Sequence, residues 1–273
     1  MTETGVEFSG VSYAFGGGER LLRGISLRLE SGTTTALLGR SGSGKTTLMR
    51  MVNGLAMPTG GVVRVGGRST TEWDLLELRR GVGYVIQEAG LFPHWTVERN
   101  VGLGLELAGE DKDRSRFLRD DKPKNRARVA EVLALAGLDA GLAERFPWQL
   151  SGGQRQRVGL ARALAGDPGI LLMDEPFGAL DPMTRAEMQG MLRGLLARVR
   201  KTVLLVTHDL EEALFLSDRV VFLEAGAVVA DLASDAVTGS ENVYVRKYVA
   251  ATHPRLKGET WGTQVRSSIG GEA

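Results

Sequence analysis

A short apolar run, a glycine-rich loop and a helical stretch follow one another between residues 33 and 52. This order restricts the fold more than any other feature of the chain. Thr33 to Leu38 is apolar, β-branched and of buried-strand length. Gly39-Arg40-Ser41-Gly42-Ser43-Gly44-Lys45-Thr46 then matches G-x-x-x-x-G-K-[ST], and Thr46 to Val52 has helical character. Glycines let backbone N–H groups wrap a β-phosphate without Cβ clashes, and a helix N-terminus adds the positive end of its dipole. Lys45 is placed to bridge β- and γ-phosphates and the Thr46 hydroxyl to ligate Mg²⁺, and Thr47 is among the nucleotide-binding residues. A glycine-rich turn that binds nothing would not require Lys and Thr at these two positions.

The remaining pattern alternates strands with helices. Val6 to Phe8, Gly24 to Leu29, Gly60 to Val65, Val82 to Ile86, Ile170 to Met173 and Thr202 to Val206 read as strands. Val220 to Glu224 and Ala227 to Ala230 form a last strand pair around Gly226. Leu75 to Arg80 and Glu187 to Arg200 read as helices. From Glu88 to about Leu160 helical signals dominate. Val129, Val132, Leu133 and Ala136 recur at helical spacing before Gly137. Such alternation gives a mostly parallel sheet covered on both faces, with the helix-rich middle as an inserted subdomain. Glu110 to Arg128 carries dense charge of both signs and reads as a solvated face.

Two further motifs narrow the chemistry. The buried run Ile170 to Met173 ends in Asp174-Glu175. At the C-terminal edge of a parallel strand both carboxylates can reach one site. Asp174 is placed to hold Mg²⁺ through water, and Glu175 to orient or deprotonate an attacking water. Leu150-Ser151-Gly152-Gly153-Gln154 precedes a helix rich in arginine, a second anion-binding helix start. One nucleotide already has its phosphates wrapped by the first loop. The second loop therefore makes sense as the completion of another protomer's site, in a head-to-tail pair of C₂ symmetry.

With these motifs in this order, the chain resembles the ATP-binding-cassette ATPases over roughly residues 5 to 250. The resemblance implies a RecA-like phosphate-loop NTPase core of α/β class, with a small antiparallel β subdomain and an inserted α-helical subdomain. It places one cassette at residues 1–241, with core segments 1–87 and 160–241, a helical subdomain at 88–159 and a short tail at 242–273. ATP and Mg²⁺ are the implied cofactors. Gln87 falls at the family's glutamine loop, which contacts Mg²⁺ and the attacking water. Gly178-Ala179-Leu180-Asp181 looks like the dimer-contact loop. Thr207-His208-Asp209 matches the switch histidine that senses the γ-phosphate. Phe15 falls where an aromatic ring stacks on adenine, with Tyr13 as the alternative.

Gly83 to Val97, together with Trp73-Asp74 and Arg99-Asn100-Val101, looks like the corresponding segment of importer ATPases for glycine betaine, proline and choline. The region implied to receive a coupling helix of the membrane subunit includes His94 and Trp95. Importers for amino acids, sulfonates or metals remain alternatives, because the binding protein and permease choose the cargo. The implied partners are a second ATPase subunit, as a homodimer, and integral membrane permease subunits, with a substrate-binding protein reached indirectly. The implied location is peripheral, on the cytoplasmic face of the inner membrane. Composition agrees. The net charge of +1 gives no basic footprint for nucleic acid, and the lack of cysteine excludes disulfides and thiolate metal sites. Met1 to Ser9 lacks a signal peptide's order, and no run of about 18 apolar residues offers a membrane span. A soluble DNA or ribosome ATPase would need a coiled coil or a second cassette. A kinase or GTPase would not need Leu150 to Gln154 or His208.

Overall fold

The computed structural model describes residues 5–252 apart from Gly17, Glu19 and residues 109–122. Most of the charged stretch 110–128, and the tail beyond residue 252, lie outside the described residues. Two sheets carry the fold. The first is antiparallel, in the order β2-β1-β4-β5, built from β1 (Val6–Ala14), β2 (Arg20–Leu29), β4 (Gly60–Val65) and β5 (Arg68–Ser69). The second contains β3 (Thr34–Leu38), β6 (Val82–Val85), β7 (Ile170–Asp174), β8 (Thr202–Val206), β9 (Arg219–Glu224) and β10 (Ala227–Ala233). Its order is β10-β9-β3-β8-β7-β6, parallel except for the β9–β10 hairpin.

The parallel strands are apolar along their whole length because both faces are covered. Leu171 and Met173 of β7 point into one core, and Ile170 and Leu172 into another. Val203 and Leu205 of β8 divide from Leu204 and Val206 in the same way, as the two-residue period of a strand requires. On β3, Leu37 joins the core that also holds α1 (Lys45–Val52) and α2 (Leu75–Arg80), while Ala36 and Leu38 face α7 (Leu210–Leu216) and α8 (Val243–Thr252).

The helical region comprises α3 (Val97–Ala108), α4 (Pro123–Leu135) and the first part of α5 (Gly152–Ala165). The expected subdomain boundary at residues 159 and 160 falls inside α5, which continues unbroken. Its Val158, Leu160 and Leu164 pack in one cluster with α4 and with Leu171 of the sheet, so insert and core share apolar contacts. The expected tail likewise begins with a packed helix: Val245 of α8 is 1 % exposed against the sheet. Helix α6 (Pro182–Val199) starts earlier than Glu187, because Asp181 caps it by accepting from Thr184 N–H at 3.1 Å and Pro182 suits the first helical position. Strand β2 likewise begins before Gly24, extending to Arg20 opposite Ala14. Among the described residues, no helix is long and apolar enough to cross a membrane.

Candidate functional site: a phosphate cradle facing two carboxylates

The glycine-rich loop leaves the C-terminal end of β3 and enters α1. Gly39 is fixed by a close approach: a Cβ there would lie 2.1 Å from the Leu223 carbonyl oxygen. Gly44 caps α1 at φ +98°, and a Cβ there would meet Leu22 Cδ2 at 2.4 Å. Strand β2 thus lies against the loop, and the turn bearing Phe15 joins β1 to β2. Phe15 is 55 % exposed and meets only Tyr13 among the aromatic rings, edge-on at 5.4 Å. Arg40, Ser41 and Gly42 form the exposed rim, Thr46 and Thr47 are half-buried, and Ser43 is buried. The Ser43 hydroxyl has no hydrogen-bond partner, a buried donor aimed into the loop that a phosphate oxygen would satisfy.

Lys45 is 6 % exposed, and its ammonium donates to the carbonyls of Gly39 at 2.7 Å and Arg40 at 3.0 Å. Burial lowers its pKa, while the charges of Glu175 and Asp174 act in the opposite direction. Asp174 ends β7. One carboxylate oxygen accepts from Thr46 Oγ1 at 3.0 Å, the other from Tyr84 Oη at 3.3 Å. Burial pushes the Asp174 carboxyl above its ordinary value, with the hydrogen bonds from Thr46 and Tyr84 pulling it back. The Thr46–Asp174 pair is a set of hard oxygen donors suited to Mg²⁺. Among the described residues no cluster of three or more His, Cys, Asp or Glu exists to cage a metal. Mg²⁺ habitually takes one or two protein oxygens and completes its shell with water and phosphate, so this sparse set fits.

Glu175 follows in a left-handed backbone conformation, φ +45°, which is uncommon for a residue with a Cβ. Its N–H donates to the Val206 carbonyl at 2.9 Å, continuing the β7–β8 ladder, and the reversed backbone turns its carboxylate toward His208. His208 Nδ1 stands 3.3 Å from Glu175 Oε2, and the imidazole is otherwise exposed. A Cβ on Gly178 would meet Gln87 Nε2 at 3.5 Å and Glu175 Oε2 at 3.8 Å, so these two side chains converge on one point. The structure therefore brings Lys45, Thr46, Asp174, Glu175, His208 and Gln87 to one edge of the parallel sheet. Tyr84 belongs there too and was not read from the sequence. A tyrosine on β6 meets Asp174 only through strand pairing, which leaves no local signal.

The second loop opens α5. Ser151 caps α5 in a reciprocal box: its hydroxyl accepts from Gln154 N–H at 3.2 Å, and Gln154 Oε1 accepts from Ser151 N–H at 2.9 Å. Gly153 leaves room for Thr184, whose Cγ2 a Cβ would meet at 2.4 Å, whereas Gly152 is open. Among the described residues, neither Ser151 nor Gln154 hydrogen-bonds to the phosphate loop of the same chain. Asp181 caps α6, and the hydrogen bond from Thr184 holds its carboxyl below the usual range.

Known proteins are similar to this chain in sequence and fold. The family described as ABC transporter matches residues 22–178. Curated relatives named for glycine betaine, choline or carnitine transport match at 36–45 % identity, and the chain spans 55–69 % of their length. One is the glycine betaine uptake system ATP-binding protein YehX of Escherichia coli (strain K12), 45 % identical over 82 % of this chain and 69 % of that protein. The sulfate/thiosulfate import ATP-binding protein CysA 2 of Agrobacterium fabrum is 48 % identical over 77 % of this chain and 58 % of its own length. Among solved structures, a dimeric ATP-binding cassette in a post-hydrolysis state bound to ADP and Pi superposes with a TM-score of 0.72 at 34 % identity, covering 84 % of this chain and 98 % of that one.

Proposed function

Because the chain belongs to the ABC transporter family, we propose that it is the ATP-binding and ATP-hydrolysing subunit of an importer for a quaternary-amine osmoprotectant such as glycine betaine or choline. The observation that carries the ATPase reading is the convergence of Lys45, Asp174, Glu175 and His208 at the mouth of the glycine cradle. The loop N–H groups and Lys45 hold the β- and γ-phosphates of ATP, and Phe15 stacks on the adenine. Thr46, Gln87 and Asp174 would hold Mg²⁺, and the ion would neutralise charge on the phosphate oxygens. Glu175 orients or deprotonates the attacking water, held on the γ-phosphate side by Gln87 and His208. Positioning and electrostatics supply the catalysis, as phosphoryl transfer demands.

Ser151, Gly152, Gly153 and Gln154 act in trans. The absence, among the described residues, of any hydrogen bond from Ser151 or Gln154 to the chain's own cradle supports a homodimer in which each signature loop closes on the partner's ATP, with Asp181 at the contact between subunits. Hydrolysis removes the bridge and opens the dimer, and that motion drives the permease from the cytoplasmic face of the membrane. The loop from Phe92 to Thr96 supports a docking role for a permease helix. It is exposed at Phe92, with Trp95 stacked on Phe92 at 4.4 Å and beneath the Arg99 guanidinium at 4.4 Å. His94 belongs to the same surface, and a substrate-binding protein reaches this chain only through the permease.

The osmoprotectant assignment draws on the Gly83 to Val97 segment and on the betaine and choline relatives. The identity to a sulfate importer favours a second reading, an importer of the same build with different cargo. Cells lacking this gene should lose radiolabelled glycine betaine or choline uptake at high osmolarity. The wild-type gene should restore uptake and Glu175→Gln should not. Unchanged betaine and choline uptake in the deletion strain, with sulfate uptake lost, would transfer the assignment to the second reading.

A further inference from the structure

We propose that Tyr248, on the C-terminal helix α8, is a positioning residue for the switch histidine: its hydroxyl fixes the His208 backbone so that the imidazole meets Glu175. The inference rests on the reading of His208 as the γ-phosphate sensor and adds to it the part that aims the ring.

The His208 side chain is exposed, and among the described residues its one ion pair is with Glu175, so burial of the ring does little to fix its direction. The backbone must do so. On one side, Thr207 N–H donates to the Leu37 carbonyl at 3.2 Å, and its hydroxyl donates to the buried Glu212 at 2.6 Å. On the other, Asp209 caps α7 by accepting from the N–H groups of Glu211 at 2.8 Å and Glu212 at 3.2 Å. Between these anchors the His208 carbonyl accepts from Tyr248 Oη at 2.8 Å, a contact spanning 40 residues of sequence. The Asp209 N–H of the same peptide donates to Thr207 Oγ1 at 3.0 Å, so Tyr248 and Thr207 hold the two ends of the peptide that follows the histidine.

The donor is itself held rigidly. The Tyr248 ring lies edge-on to Phe222 at 5.6 Å and tilted against Tyr244 at 6.2 Å. Phe222 is fully buried on β9 and pairs with Leu38, the residue before Gly39. Asn242 fixes the start of α8: its carbonyl oxygen accepts from Tyr244 and Val245 N–H, and its amide donates to the Val229 carbonyl. Burial pushes the Tyr248 phenol up to about 12, which keeps it a proton donor at any working pH. Tyr244, one turn earlier on the same face, has a buried hydroxyl with no partner. It therefore shares the packing of Tyr248 and lacks its hydrogen bond.

Steady-state ATPase kinetics on the full chain separate positioning from packing. Tyr248→Phe keeps the ring and removes the bond, so kcat should fall about 3- to 10-fold, the worth of one hydrogen bond, with KM for ATP within about twofold. Tyr244→Phe should leave kcat at the wild-type value. His208→Ala should be far slower than either, and adding Tyr248→Phe to it should cost nothing more. A Tyr248→Phe kcat equal to wild type beside a crippled His208→Ala would overturn this inference alone, as would equal losses in both tyrosine variants. Normal turnover by His208→Ala would instead overturn the sensor reading, and the inference with it.

Discussion

At the scale of single residues, the site holds its charges at a cost to the fold. Asp174 is a half-buried carboxylate whose partners, Thr46 and Tyr84, are neutral hydroxyls. Burial dominates and raises its pKa above the ordinary 3.8. A raised carboxyl pKa favours folding in the protonated form. The favourable contribution is complete below the ordinary value and is lost as pH climbs through the raised one. Asp174→Asn removes the charge while keeping a hydrogen-bond acceptor. The nucleotide-free variant should therefore be more stable than wild type at neutral pH, and the gap should close as pH falls below the ordinary carboxylate range. Its Mg²⁺-dependent ATPase rate should drop at least about 100-fold. Differential scanning fluorimetry across pH, beside a phosphate-release assay, reads both. The left-handed backbone of Glu175 tells the same story: strain tolerated where it aims a reacting group.

At the scale of elements, side chains from distant helices shape the loops that carry chemistry. Gln156 and Arg162 of α5, the helix that begins at the signature, hold the loop around Gln87. Gln156 Nε2 donates to the Ile86 carbonyl, and the Arg162 guanidinium donates to Ala89 at 2.6 Å and Gly90 at 2.7 Å. One helix thus joins the Ser151–Gln154 cap to the loop around Gln87. Asn100 of α3 does the same for Phe92 to Thr96. Fully buried, it accepts from Phe92 N–H at 2.8 Å and donates to the carbonyls of Phe92, Trp95 and Thr96. Asn100→Ala should cost about 1–3 kcal/mol in urea unfolding by orphaning those groups. It should also reduce recovery of the permease with the ATPase, with basal ATP hydrolysis by the isolated subunit much less affected. The phosphate loop, Asp174-Glu175 and the signature were legible in the sequence because each is contiguous and its spacing states its geometry. Tyr84, Arg162 and Tyr248 were not, because their partners lie 90, 73 and 40 positions away. The capping box of Ser151 and Gln154 was also missed as such. Ser-Gly-Gly-Gln serves local helix capping and, in the proposed dimer, phosphate contact, and the sequence reading saw only the second.

At the scale of the molecule, the proposed function places one half of a reaction centre at the C-terminal edge of the parallel sheet and the other half at the start of α5, to be used by a partner subunit. ATP turnover in this proposal requires the two halves to meet between subunits. Gly152→Glu tests that meeting without disturbing the fold, since a Cβ there meets nothing closer than 3.9 Å. It places a carboxylate where the partner's triphosphate should come. The decisive measurement is light scattering coupled to size exclusion, with bound ATP counted per chain, on Glu175→Gln in MgATP. Glu175→Gln should run as a dimer with one ATP per chain, and Glu175→Gln/Gly152→Glu as a monomer still binding one. A double variant that dimerises as readily as its parent, or a wild-type chain that hydrolyses ATP at full rate while monomeric, would contradict the account.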